Sequence, residues 1–151
     1  MPWIANVSEA YAVSNTKTKG VACISITSPT KTANLPNGYE EVYRVQFDDY
    51  DGLTSGYPEH AELFTEYKAK CIVAFARKHV NIGNDILVHC AAGVSRSGAV
   101  VEALLEAFPQ YEDAGWIRHP NGLVKSLMKR ALGLVPIGAE READGPSEKA
   151  G

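Results

Sequence analysis

The stretch Val88 to Gly98, VHCAAGVSRSG, decides how the chain is read. Just upstream, Asp85 to His89 (DILVH) is a short apolar run that predicts a strand. Just downstream, Ser97 to Phe108 opens on small residues, continues with Leu and Ala, and stops near Pro109, which predicts a helix. The residues between them must therefore form a loop that enters a helix N-terminus. Such a loop points several backbone N–H groups at one place and favours an anion there. The amides in question belong to Ala91, Ala92, Gly93, Val94, Ser95 and Arg96. Gly93 lacks a Cβ and can take the positive φ that lets the loop curl. Ala91 and Ala92 are too small to obstruct it.

Working outward, the chain alternates strands and helices. Val21 to Ile26 (VACISI) reads as a buried strand. Ser28 to Tyr39, with Pro29, Pro36, Asn37 and Gly38, reads as a loop. Val42 to Phe47 (VYRVQF) alternates, and Tyr43, Val45 and Phe47 are expected to face inward. Asp48 to Pro58 is a polar loop. Glu59 to Val80 turns helical, with Phe64, Tyr67, Cys71 and Phe75 as its apolar stripe, and Asn81, Gly83 and Asn84 end it. Asn121 to Leu132 is the last helix. The expected fold is α/β, a central mixed sheet flanked by helices. Residues 1–135 form one domain, and 136–151 form a flexible tail rich in Pro, Gly, Glu and Asp.

Composition excludes several classes. A chain of 151 residues suits one domain with its own core. Fifteen Lys and Arg against 18 Asp and Glu leave a charge of −3. The tail carries four of those acids and two of the bases, leaving 13 bases against 14 acids before it. A strongly basic nucleic-acid or membrane-surface protein is excluded on that balance. Three cysteines cannot all pair, which disfavours a secreted disulfide framework. The N-terminus MPWIANVSEA lacks a basic n-region, and Glu9 interrupts it, so no signal peptide is expected. The expected location is the cytoplasm. Four His and three Cys show no metal-ligand spacing, so no metal is expected.

The chemistry sits in His89, Cys90 and, after five residues, Arg96 and Ser97. Arg96 can give a bidentate pair to two phosphate oxygens, which Lys cannot reproduce. The loop amides and helix dipole favour a thiolate at Cys90, and a thiolate is a competent nucleophile for phosphorus. This His-Cys-x5-Arg-Ser pattern resembles the signature of cysteine-dependent protein phosphatases, most closely the small dual-specificity branch. The resemblance runs from about Val42 to Leu132. It implies a dual-specificity phosphatase-like fold, no cofactor, and a cysteinyl-phosphate intermediate. His89 would orient the loop, and Ser97 would ease departure of the Cys90 sulfur.

Such a reaction also needs a proton donor for the leaving oxygen. The resembled family takes it from an Asp on an upstream loop. Asp48, Asp49 and Asp51 are the candidates, with Asp49 the first choice because it follows the inward Val45 and Phe47. Asn121 in RHPNG (Arg118 to Gly122) resembles the family's Pro-Asn motif, where Asn supports the phosphate loop; a plain helix N-cap is the other reading. Cys71 and Cys23 read as core residues or as resolving thiols for Cys90. Lys125, Lys129 and Arg130 read as a solvated basic edge on the last helix, or as a steering surface for an anionic substrate.

The expected activity is removal of phosphate from phosphotyrosine, with phosphoserine and phosphothreonine also open. The expected partner is a phosphorylated protein or peptide, with no nucleic acid or membrane, and the chain is expected to be a monomer. Ala91, Ala92 and Val94 are neutral, which disfavours phosphoinositides and RNA 5′-phosphates. A non-catalytic phosphate-binding module and a rhodanese-like sulfurtransferase are the alternatives. Asp49, present alongside Cys90 and Arg96, argues against the first, and the upstream Asp, Ser97 and the Pro-Asn segment argue against the second.

Overall fold

A computed structural model describes residues 1–51 and 61–135. The elements are β1 (Trp3–Ser8), α1 (Glu9–Ser14), β2 (Val21–Thr27), β3 (Glu41–Gln46), α2 (Glu66–Ile82), β4 (Asp85–Cys90), α3 (Arg96–Ala107), β5 (Glu112–Asp113) and α4 (Gly122–Ala131). The strands form one sheet in the order β3-β2-β4-β1-β5. Every pairing in it is parallel. The expectation of a mixed sheet is therefore corrected. A parallel return needs a connection long enough to run back along the sheet. Helices α1, α2 and α3 supply three such returns. The Ser28 to Glu40 connection makes the fourth without a helix.

The two faces of the sheet are covered differently. On one face α2, α3 and α4 pack over Ile24, Ile26, Phe47, Ile86 and Val88. On the other, a smaller cluster joins Ala5, Val7, Cys23, Leu87 and Tyr39 with Ala12 of α1. Strands buried on both faces read as continuous apolar runs, and β2 is buried at every position.

Three local expectations change. The N-terminal segment WIANVS is a strand, and it pairs with β4 from Ile4↔Ile86 to Ser8↔Cys90. Helix α2 begins at Glu66, not Glu59, with Thr65 Oγ accepting from Lys68 N at 3.2 Å. Its buried face is Ala69, Ile72, Val73, Phe75, Ala76 and His79, so Tyr67 is exposed and Cys71 half-buried rather than core. Of the expected stripe, Phe64 and Phe75 are buried in the core, and the alanines at 69 and 76 share the buried face in place of Tyr67 and Cys71. Its end matches the turn chemistry: Gly83 takes φ 90° and its N–H donates to His79 O at 2.9 Å. The proposed flexible tail, 136–151, and most of the Tyr50 to Pro58 loop lie outside the described residues. Among the described residues, no helix is long and apolar enough to cross a membrane.

Because all strands run the same way, their carboxyl ends gather at one edge. Central β4 delivers Cys90 there, between the ends of β1 and β2. Ligands of open parallel sheets bind outside the carboxyl ends of strands.

Candidate functional site

Cys90 is the last residue of β4 and Arg96 the first of α3, so residues 91–95 form the expected strand-to-helix loop. Gly93 is its pivot, with φ +80°. A Cβ there would meet the backbone of Val7 and Ser8, so both the torsion and the close approach to β1 require glycine. Asn6, fully buried in β1, holds the loop from beneath: its Nδ2 donates to Gly93 O at 2.7 Å. Asn6 Oδ1 in turn accepts from Arg118 Nη1 at 3.1 Å. Arg118 is anchored by a two-pronged pair with Asp113, at 2.9 and 2.6 Å. The same segment reaches the far side of the loop, where Asn121 N donates to Ser95 O at 3.1 Å and His119 N to Val94 O at 3.3 Å.

The helix start is left open to a ligand. Ser95 occupies the N-cap position but makes no capping bond. Its hydroxyl donates instead to Asp49 Oδ1 at 2.9 Å. The sulfur of Cys90 takes the acceptor's place: Ser97 N donates to it at 3.4 Å, and Ser97 Oγ lies 3.1 Å away. Among the described residues, the backbone N–H groups of Ala92 to Ser95 have no protein acceptor.

Arg96 is buried, with 6% of its surface exposed. Its Nη1 donates to Phe47 O at 2.9 Å and Ser28 Oγ at 3.3 Å, both neutral acceptors. Its Nε is buried without a partner, the one such side-chain atom among the described residues. No carboxylate pairs with this guanidinium among them. A buried charge without a counter-ion is costly, and an anion in the loop would supply the missing interaction.

The acid candidates separate by their partners. Asp49 is exposed, and its Oδ1 accepts from both Ser95 Oγ and, at 2.7 Å, Asn121 Nδ2. Asp48 instead ties down its own loop, with Oδ2 accepting from Glu62 N at 2.8 Å and its N–H donating to Glu62 O at 2.7 Å. Asp51 is half-buried. Of the three, Asp49 is the one bonded to Ser95 of the loop between β4 and α3. The helix N-cap reading of Asn121 holds, because its Oδ1 caps α4 by accepting from Val124 N at 3.1 Å, while its Nδ2 and backbone N–H reach Asp49 and Ser95.

His89 is fully buried. Its Nδ1 lies 3.3 Å from Cys90 O and its Nε2 lies 2.6 Å from Ser25 Oγ. A carbonyl only accepts, so Nδ1 carries the proton, and in the neutral ring Nε2 accepts from Ser25. Burial pushes the His89 pKa below its ordinary value, partly offset by the bond to Cys90.

Reading the sequence missed Asn6, Ser25, Ser28 and Arg118. The signal for Asn6 was present: a lone amide inside the apolar run WIANVS is expensive to bury unless it has a task. Of the other two cysteines, Cys23 pairs in register with Leu87 and packs in the cluster on the opposite face from Cys90. It also lies about three residues, or ~10 Å, short of Cys90 along the sheet, too far for a disulfide. Among the described residues, no group of three His, Cys, Asp or Glu is placed to hold a metal. No protein-family model matches the chain, and no curated protein sequence matches it significantly.

Proposed function

We propose that the chain is a cysteine-dependent phosphomonoester hydrolase of the dual-specificity phosphatase kind, acting on phosphotyrosine in proteins or peptides. The observation that carries the reading is Arg96, a buried guanidinium with an unpartnered Nε, beside free loop amides and the Cys90 sulfur. Together these groups suit a tetrahedral dianion.

The proposed reaction has two steps. The Cys90 thiolate attacks phosphorus, forming an S–P bond as the P–O bond to the substrate breaks. Asp49, as the acid, protonates the departing oxygen. Water then attacks phosphorus, Asp49 takes its proton, and the S–P bond breaks to release inorganic phosphate. The loop amides and Arg96 carry the charge that builds on the equatorial oxygens. Ser97 Oγ, 3.1 Å from the sulfur, can donate to the departing thiolate. Asn121 and Ser95 hold Asp49 against the loop. The proposal needs no cofactor, and it suits the reducing cytoplasm, where the Cys90 thiol stays available.

Phosphate release from phosphotyrosyl, phosphoseryl and phosphoinositide substrates tests this reading. Turnover of the phosphotyrosyl substrate is expected, with loss in Cys90→Ser. Phosphopeptide binding without turnover would instead favour a phosphate-binding module. Turnover that persists in Cys90→Ser would remove the mechanism.

A further inference from the structure

Beside the loop lies a second feature that this chemistry does not use. A cavity of about 320 Å³ is lined by Glu9, Thr27, Ser28, Lys31, Thr32, Ala91 and Arg96. It shares Ala91 and Arg96 with the phosphate site, so whatever is attached to a bound phosphate can extend into it. Its lining holds hydroxyls and charges and no aromatic ring.

Lys31 is brought to this cavity by an unusual turn. Lys31 N donates to Ser28 O at 3.2 Å, closing a four-residue turn with Pro29 and Thr30 at its centre. Thr30 takes φ 68°, the only positive φ outside glycine among the described residues. A β-branched residue in that region is strained, so the surroundings must hold it. They do so at the next residue: Lys31 O accepts from Thr27 Oγ at 2.7 Å and from Gln46 Nε2 at 2.6 Å. The backbone of Lys31 is thereby fixed, while its ammonium makes no ion pair among the described residues.

We propose that Lys31 is a specificity-determining residue that receives an acidic side chain next to the phosphorylated residue of a peptide substrate. This rests on the phosphatase reading above and adds the sequence preference of the same site. Residues 91, 92 and 94 of the loop are neutral, so a charge preference has to come from outside the loop, and Lys31 is the cation that lines the adjoining cavity with Arg96. Glu9 lines the same cavity and opposes a second anion, which limits the preference to a modest one. A peptide suits the surroundings better than a small polyphosphate does. Tyr11 and Trp116, their rings edge-to-face at 6.1 Å, and Ile117 are exposed on segments adjoining the loop, where an extended ligand has apolar surface to cover.

Binding to Cys90→Ser protein provides the test, because it does not depend on turnover. The probes are paired phosphotyrosyl peptides with Asp or Asn at each position flanking the phosphotyrosine. The acidic member of at least one pair is expected to bind about two- to fivefold more tightly, the size of an exposed ion pair. Adding Lys31→Met should bring that ratio to about one. Lys31→Glu should invert it, and Glu9→Gln should raise it. The ratio is read within each variant, so a general loss of affinity does not enter it. A parent ratio of one at every position, or a ratio unmoved by Lys31→Glu, overturns the proposal. So does a small bisphosphate that displaces the peptides in a Lys31-dependent way while Asp and Asn peptides bind alike. Absence of wild-type turnover with the preference intact would count against the hydrolase reading and not against Lys31.

Discussion

Cys23 and Cys90 are both buried residues on neighbouring strands of one sheet, yet their surroundings differ in every chemical respect. Cys23 lies in the interior of β2, fully buried among Val7, Val21 and Leu87. Burial pushes its thiol pKa up to about 12, against a small opposing effect of Arg44. Cys90 is buried almost as deeply, at 3% exposed, but it ends its strand. Its sulfur meets the hydroxyl and the backbone N–H of Ser97 in the first turn of α3. Depth therefore does not distinguish the two thiols. Position along the strand does, because the strand's carboxyl end is where a helix N-terminus can deliver donors.

Exchanging each cysteine for serine is the hardest test of that contrast. Cys90→Ser should lower turnover of an aryl phosphate by on the order of 10⁴-fold or more, since the nucleophile is lost. Cys23→Ser should leave turnover per folded molecule unchanged. It should cost roughly 1–3 kcal/mol of stability, because a hydroxyl replaces a thiol in an apolar cluster. Thiol alkylation near neutral pH should modify Cys90 before Cys23, and phosphate should slow only the former. Earlier labelling of Cys23 would break the comparison.

The same contrast applies to the two neighbouring carboxylates. Asp48 holds the base of its loop through Glu62, whereas Asp49 is bonded to Ser95 of the 91–95 loop and to Asn121. Asp49→Ala should reduce kcat by about 10²-fold or more and remove the basic limb of the pH–rate profile. Asp48→Asn keeps an acceptor for Glu62 N and should change kcat by much less. The reverse ranking would move the acid to Asp48 and leave Asp49 as a loop support.

Gly93 sharpens the comparison at the level of the backbone. An alanine there must hold φ near +80° and push its Cβ into Val7 and Ser8. A destabilisation of roughly 3 kcal/mol is expected, measured by urea unfolding. Gly83 takes φ 90° with open space around its Cβ position, so Gly83→Ala pays only the torsional part. If the two variants unfold alike, the contact of the loop with β1 is not the constraint it looks to be.

Much of this was legible because it is local. The loop from Cys90 to Arg96, the strand before it and the helix after it are contiguous, and short-range rules place them. Gly93, the break at Gly83 and the capping role of Asn121 follow from the same rules. What was hidden depends on distant parts of the chain meeting. Strand β1 was missed because its short run, cut by Asn6, looked like an ordinary terminus until β4 paired with it. Sheet direction could not be read because nothing in Ser28 to Glu40 announces a return crossover. The different bonding of Asp48 and Asp49 was hidden because their partners, Glu62, Ser95 and Asn121, are remote in sequence. Lys31 drew no attention because its carbonyl clamp is built from Thr27 and Gln46 on two strands.

The smallest expected effect concerns the residue that joins the two strands carrying these cysteines. His89 of β4 bonds Ser25 of β2 through Nε2 and the Cys90 carbonyl through Nδ1. Burial holds its pKa below the ordinary value, so the folded state prefers the neutral ring. The unfolded chain binds a proton near pH 6.5, where the folded chain does not yet do so. The contribution of His89 is therefore complete above about pH 6.5 and is lost as pH falls toward its folded value, with a slope of at most about 1.4 kcal/mol per pH unit. The displaced carboxylates Glu41, Glu102 and Asp113 are all held below their ordinary values near 4, so their losses belong to more acidic solution. Unfolding free energies measured between pH 5 and 7 should accordingly fall with acid in the wild type and be flatter in His89→Gln. Equal slopes would mean that protonation of the ring costs nothing in the fold. The bond from Nδ1 to the Cys90 carbonyl, which favours the charged ring, would then fully offset the burial that opposes it.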